Sequence, residues 1–234
     1  DYKISLEKLT LSLLVNNDEV EYSGDALVKE SVINFNGKQY IYDNLVRDEI
    51  SGNINLIAES IEEISQGIFS KSFGSIPIDF KYSSDNKDLI KVEAIGTLDN
   101  FASKSEFLGD NLNFKNGKLR FLLNPFNNDY SIFFDLKTPN IQFETNLDVI
   151  DKKIKKISVN KFISPNQDFY GMIKNEDYLD ILIQGSKLKF NKLKSLQNNG
   201  NPIFTNMDLT IDIDELYLNN IPFKQPEFSF SKRN

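Results

Sequence analysis

The chain has 234 residues, 40% of them hydrophobic, with a net charge of -7 and a pI of about 4.8. It contains no His, no Cys and no Trp, which excludes imidazole catalysis, thiolate nucleophiles, disulfides and the usual structural zinc sites. The acidic balance argues against nucleic-acid binding by phosphate neutralisation and gives no attraction to an anionic membrane surface.

Leu9, Leu11, Leu13 and Val15 share one parity and open a series of strands over residues 1 to about 55. Successive strand side chains point to opposite faces, so this alternation predicts sheet with one apolar and one polar face. Within the series, Phe35-Asn36-Gly37-Lys38 predicts a hairpin, because Asn-Gly favours a type I′ turn. The pattern then changes. Ile57, Ile61, Ile64 and Ile68 recur at helical spacing, while Glu59, Glu62 and Glu63 point elsewhere. They predict one amphipathic helix near 56–72, closed by Gly74 and Pro77. Its acidic polar face is unlike that of an interfacial membrane helix. It is expected to cover the sheet face carrying Ile76, Ile78 and Phe80, either as a lid or as a cap on one end.

Alternation resumes with Ile76, Ile78, Phe80 and Tyr82. Asn116-Gly117 predicts a second hairpin. Leu119, Phe121 and Leu123 follow, then Ile132, Phe134 and Leu136, Ile141 and Phe143, Ile157 and Val159, and Leu179, Ile181 and Ile183. A short helical turn is expected near 188–196 and a loop over 198–202. Leu209, Ile211 and Ile213, then Phe228 and Phe230, complete the series. No linker rich in Pro, Gly or Ser divides the chain, so residues 1–234 read as one β segment. No stretch approaches the roughly 20 apolar residues that span a bilayer. The chain does not begin with Met and opens on no signal peptide, and it reads as a segment of a longer protein.

Few constellations carry chemistry. Asp208, Asp212 and Asp214 share a strand face, but carboxylates two apart lie about 7 Å from one another, wide for one cation. They read as an exposed acidic face beside lysines such as Lys152, Lys153, Lys155 and Lys156. The run from Asp151 to Lys156 reads as a hairpin turn. Ser186-Lys187 and Ser195 raise a Ser-Lys hydrolase, yet no nucleophile elbow or Gly-rich oxyanion loop accompanies them. The chain is therefore not expected to be an enzyme, and no cofactor or metal is implied. The 19 Phe residues, crowded through Phe101, Phe107, Phe114, Phe121, Phe133, Phe134 and Phe143, suit either a closed aromatic core or an open apolar trough.

Three stretches of the last third carry a family resemblance. They are Val159-Asn160-Lys161-Phe162, Phe169-Tyr170-Gly171-Met172-Ile173, and Ile181-Leu182-Ile183-Gln184-Gly185-Ser186-Lys187-Leu188. With the strand from Met207 to Leu218, and upstream Pro139 to Phe143 and Ser75 to Ile78, they resemble the AsmA-like superfamily of Gram-negative envelope proteins, the YhdP-type members in particular. The resemblance covers about residues 50 to 230. It departs at Lys187 and Lys189, where relatives carry Ser and Asp, and at Phe143 to Asn146, where they show Trp, Lys-Pro and Gly.

The resemblance implies a mainly β fold. In it a long curved antiparallel sheet forms an apolar groove, a half-open barrel, standing in the periplasm from an inner-membrane anchor outside this segment. It implies a bridge for phospholipid acyl chains between inner and outer membranes, with membrane protein partners at the groove ends. The expected lining is Ile76, Ile78, Phe80, Leu119, Phe121, Leu123, Ile132, Phe134, Ile141, Phe143, Ile181, Ile183, Leu209, Ile211 and Ile213. The alternative is a closed β-sandwich scaffold or protein-binding domain of a cell-envelope protein.

Overall fold

The computed structural model describes residues 8–28, 30–42, 45–64, 69–86, 89–105, 109–126, 129–151, 153–176, 178–190, 206–218 and 220–232. Four strands open the chain: β1 (Lys8–Val15), β2 (Glu19–Val28), β3 (Ser31–Tyr42) and β4 (Leu45–Ile57). Helix α1 (Ala58–Ile64) follows, then β5 (Ser70–Phe73), β6 (Ser75–Asp85), β7 (Leu89–Thr97), β8 (Ala102–Ser105) and β9 (Gly109–Asn113). The remainder is β10 (Lys118–Phe126), β11 (Asp129–Lys137), β12 (Gln142–Ile150), β13 (Lys153–Ser164), β14 (Gln167–Asn175), β15 (Leu179–Phe190), β16 (Met207–Leu218), β17 (Ile221–Lys224) and β18 (Glu227–Lys232).

The fold is mainly β. Fifteen strands form one sheet in the order β1-β2-β3-β4-β6-β7-β10-β11-β12-β13-β14-β15-β16-β17, with β18 also on β16. The order is open, with β1 and β17 as its ends rather than neighbours, so the sheet does not close into a barrel. At about 4.8 Å per strand the path is roughly 60 Å along the sheet. Pairing is antiparallel except between β15 and β16, which run parallel and make the sheet mixed. Register shifts mark bulges in β13 and β15, and bulges increase local twist.

Helix α1 and the segments flanking the small sheet β5-β8-β9 pack against the strand ends of β6, β11 and β13 in the middle of the large sheet. Their packing is aromatic. Phe101 and Phe114 are 3% and 1% exposed, with ring centroids 5.2 Å apart, and Phe69 meets both edge-on at 6.3 and 6.1 Å. Ile61 of α1 joins this core with Ile76, Leu98, Leu136, Ile141 and Phe162. The helix is tied down further by polar contacts. Ser60 Oγ lies 3.0 Å from Ser31 Oγ, and Ser31 Oγ accepts the Ile57 amide at 3.2 Å.

Several local expectations are corrected. Asn36 and Gly37 lie inside β3 and form no hairpin. A Cβ at Gly37 would fall 2.5 Å from the Tyr22 ring, so this glycine makes room for an aromatic side chain and does not turn the chain. In place of a helix over 56–72, only the short helix Ala58–Ile64 forms among the described residues. Leu56 and Ile57 end β4 and residues 70–73 form β5, because both edges gain sheet hydrogen bonds; Ile68 lies outside the described residues. Residues 188–190 continue β15, where Leu188 pairs with Leu216, and 191–196 and the loop 198–202 lie outside the described residues. Asn116 does take a turn conformation, with φ of 57°. The strands on either side belong to different sheets, however, because Leu98 donates to the Gly117 carbonyl and draws β10 beside β7. Asp151, with φ of 51°, turns the hairpin between β12 and β13 as its sequence predicts.

Candidate functional site

Register turns local alternation into a surface. On β6 and β7 the pairs are Phe80 with Ala94 and Tyr82 with Val92. Phe121 then stands opposite Ala94 and Phe134, and Leu123 opposite Val92 and Ile132. Leu136 pairs with Phe143, Phe143 with Phe162, and Phe162 with Phe169. Ile173 leads to Ile181, Ile181 to Leu209, and Leu209 to Phe230. At the other end Ile54 pairs with Ile33, Ile33 with Ala26, and Ala26 with Leu9. One face of the 15-stranded sheet is thus apolar from β1 to β18. Fourteen of the expected lining residues stand on its strands in that parity, whereas Ile141 precedes β12 in the turn after β11 and enters the first core.

They do not share one environment. Ile76, Ile141, Ile211 and Ile213 are buried in two cores, at 7%, 1%, 9% and 2% exposure. Ile78, Phe80, Leu119, Phe121, Leu123, Ile132, Phe134, Phe143, Ile181, Ile183 and Leu209 remain partly exposed. An aromatic ladder crosses the centre: Phe134 to Phe143 at 5.7 Å, Phe143 to Phe162 at 5.5 Å and Phe162 to Phe169 at 5.1 Å. Such contacts add stability beyond area burial and hold the rings in place. Where no core covers the face, apolar side chains stand well exposed. Leu9, Leu13 and Val15 on edge strand β1 reach 55%, 61% and 70%.

The opposite face is built from polar pairs. Lys38 Nζ donates to Glu19 at 2.7 Å and Glu21 at 2.5 Å. These bonds push the lysine up and, with its charge, hold the Glu21 carboxyl below its ordinary range. Arg120 meets Glu93 at 3.1 Å and Lys137 meets Asp135 at 2.8 Å. Asn36 accepts from Ser51 at 2.8 Å, and Asn160 donates to Glu144 at 3.0 Å. Lys137 and Asp135 lie on one strand; the other exposed pairs set cross-strand register more than they add stability. Leu122 and Phe133 interrupt this face as a facing apolar pair, and both are partly exposed.

Two concavities lie on this polar side. One of about 780 Å³ runs over β1 to β7, lined by Ser12, Ser23, Asn36, Lys38, Lys81 and Glu93 among others. The second, of about 880 Å³, is bordered by Tyr40, Tyr42, Leu45, Arg47, Asp85 and Leu89.

The other sequence candidates resolve into local pairs. Asp208 accepts from Ser231 at 2.6 Å and Asp212 from Gln184 at 3.3 Å. Their strand neighbours are β15, β17 and β18, so the lysines of β13 are not their partners. Among the described residues no three carboxylates converge as a metal site. Ser186 donates to Asp168 at 2.5 Å, whereas Lys187 donates to the Pro165 carbonyl at 3.3 Å and lies 5.9 Å from the Tyr217 ring centroid. Ser195 lies outside the described residues. One group went unread in the sequence: Asp48, with Gln39 and Ser84, interrupts the apolar face. Its signal was a carboxylate in the same parity as Ile50 and Ile54.

No family model, curated protein or solved structure matches the chain.

Proposed function

We propose that the chain is a segment of a lipid-transfer track, whose apolar sheet face shields phospholipid acyl chains in the aqueous space between the inner and outer membranes of a Gram-negative cell. The observation that carries this reading is the in-register apolar face, traced from β1 to β18 and left partly exposed through its middle. Moving an acyl chain from water onto apolar surface is worth about 0.8 kcal/mol per buried methylene. A face roughly 60 Å long offers that gain, with Asp48, Gln39 and Ser84 as a polar break across β3, β4 and β6. The sheet curves into a half-open groove, head groups stay in water at its rim, and membrane proteins meet its ends. The resemblance of the last third to AsmA-like envelope proteins supports the same role. The reading assigns no catalytic residue, cofactor or nucleic-acid partner.

A second reading, a β scaffold or protein-binding domain of the cell envelope, is favoured by the two concavities, both on the polar side. Native mass spectrometry of the purified chain separates the two. Bound phospholipid supports the track. A lipid-free chain after incubation with phospholipid vesicles supports the scaffold.

A further inference from the structure

We propose that Tyr22, Asp48 and Tyr82 form a binding site for an ammonium group at one end of the apolar face, so that the track favours lipids with amine head groups over anionic ones. The inference rests on the lipid-track reading and names the lipid class.

Asp48 shares its strand parity with Ile50 and Ile54 and pairs in register with Gln39 and Ser84. Its carboxylate therefore stands on the apolar side. Oδ1 accepts from Gln39 Nε2 at 2.7 Å and Oδ2 from Ser84 Oγ at 3.3 Å. Ser84 is 1% exposed, so the carboxylate is anchored at a partly dry spot. Both donors are neutral. They orient the charge and leave it uncompensated. Among the described residues no Lys or Arg pairs with Asp48; Lys38, Arg47, Arg120 and Lys137 make their ion pairs from the opposite parity.

Two tyrosines share this face on strands close to Asp48. Gly37 has no Cβ, and the Tyr22 ring and hydroxyl occupy the space one would fill, at 2.5 to 2.7 Å from its ideal position. The Tyr22 side chain thus lies across β3 toward β4. Tyr82 stands opposite Ile50, one diagonal step from Asp48, within reach for an aromatic side chain. The Tyr22 hydroxyl is pushed up by burial first, then by the charges of Asp48 and Tyr82, which sets the three groups in one neighbourhood. An oriented carboxylate with two tyrosines on the same face nearby attracts a compact cation and repels an anion. The ammonium can belong to a lipid head group or to a free amine.

The test uses the full chain incubated with vesicles holding equal phosphatidylethanolamine and phosphatidylglycerol of matched acyl chains. Extracted lipid is then quantified by mass spectrometry. The native chain is expected to take up the amine lipid about fivefold over the anionic one. Asp48→Asn should bring the ratio near one, and Tyr82→Leu should lower it partway. Circular dichroism checks both variants, and Tyr82→Leu serves if Asp48→Asn fails to fold. Free ethanolamine and tetramethylammonium are titrated in parallel by tyrosine fluorescence. Equal uptake of both lipids by the native chain overturns the inference and leaves the track standing. No lipid uptake, with saturable amine binding lost in Asp48→Asn, upholds the site and overturns the track. Neither lipid nor amine binding overturns the inference as well.

Discussion

Phe121→Asp, compared with Ile213→Asp, probes whether the middle of the apolar face is open. Phe121 stands between Ala94 and Phe134 and is partly exposed, whereas Ile213 is 2% exposed in the second core. Full burial of a Phe or Ile is worth about 1.5–3 kcal/mol. At position 121 only part of that is lost, and the new carboxylate reaches water, so the expected cost is about 2 kcal/mol. At position 213 the apolar loss is complete and the charge has no solvent, so the cost exceeds about 4 kcal/mol. Urea unfolding followed by circular dichroism reads both. Equal destabilisation of about 4 kcal/mol would show that Phe121 sits in a closed core, and would refute an accessible face.

Four further outcomes follow from the contacts. Gly74 takes φ of +87°, and a Cβ there would lie 1.6 Å from the Asn100 carbonyl oxygen, so Gly74→Ala should cost more than about 3 kcal/mol in urea unfolding. Ser31→Ala removes the bonds that the Ile57 amide and the Ser60 hydroxyl make to Ser31; a loss of about 1–3 kcal/mol is expected in the same assay. By carbon-13 NMR, Glu21 should titrate below the ordinary glutamate range and move up in Lys38→Met, since the Lys38 hydrogen bond is the first cause of the shift. Folding raises the Tyr22 pKa, so its contribution to stability is complete below the unfolded tyrosine value of about 10 and is lost as pH rises through the folded value. An ultraviolet titration should place Tyr22 above the unfolded tyrosine value and lower it in Asp48→Asn.

Alternation made the strands legible. Leu119, Phe121 and Leu123, or Leu209, Ile211 and Ile213, declare their shared face without any structure, because a pleated strand has a period of two. What alternation cannot carry is pairing. The two Asn-Gly pairs show why. Asn116-Gly117 turns the chain, yet the strands on its two sides join different sheets. Asn36-Gly37 does not turn it, because Gly37 answers to the Tyr22 ring on the neighbouring strand. The isoleucine spacing at Ile57 and Ile61 found a helix but not its ends, since sheet bonds claimed Ile57 and residues 70–73. The parallel step from β15 to β16 left no local signature. Asp48 breaks the parity of Ile50 and Ile54 yet went unread, because its partners Gln39 and Ser84 lie 9 and 36 residues away and only register unites them.

Site-specific photocrosslinking tests the lipid track most directly. A benzophenone side chain is placed in turn at Phe121, Leu123, Ile132 and Phe134, and at Arg120, Asn124, Ser131 and Asp135 on the other face of the same two strands. Each chain is irradiated with vesicles of radiolabelled phospholipid. Lipid adducts at the first four positions and none at the second four are the predicted result. Adducts on both faces alike, or on neither, would contradict it.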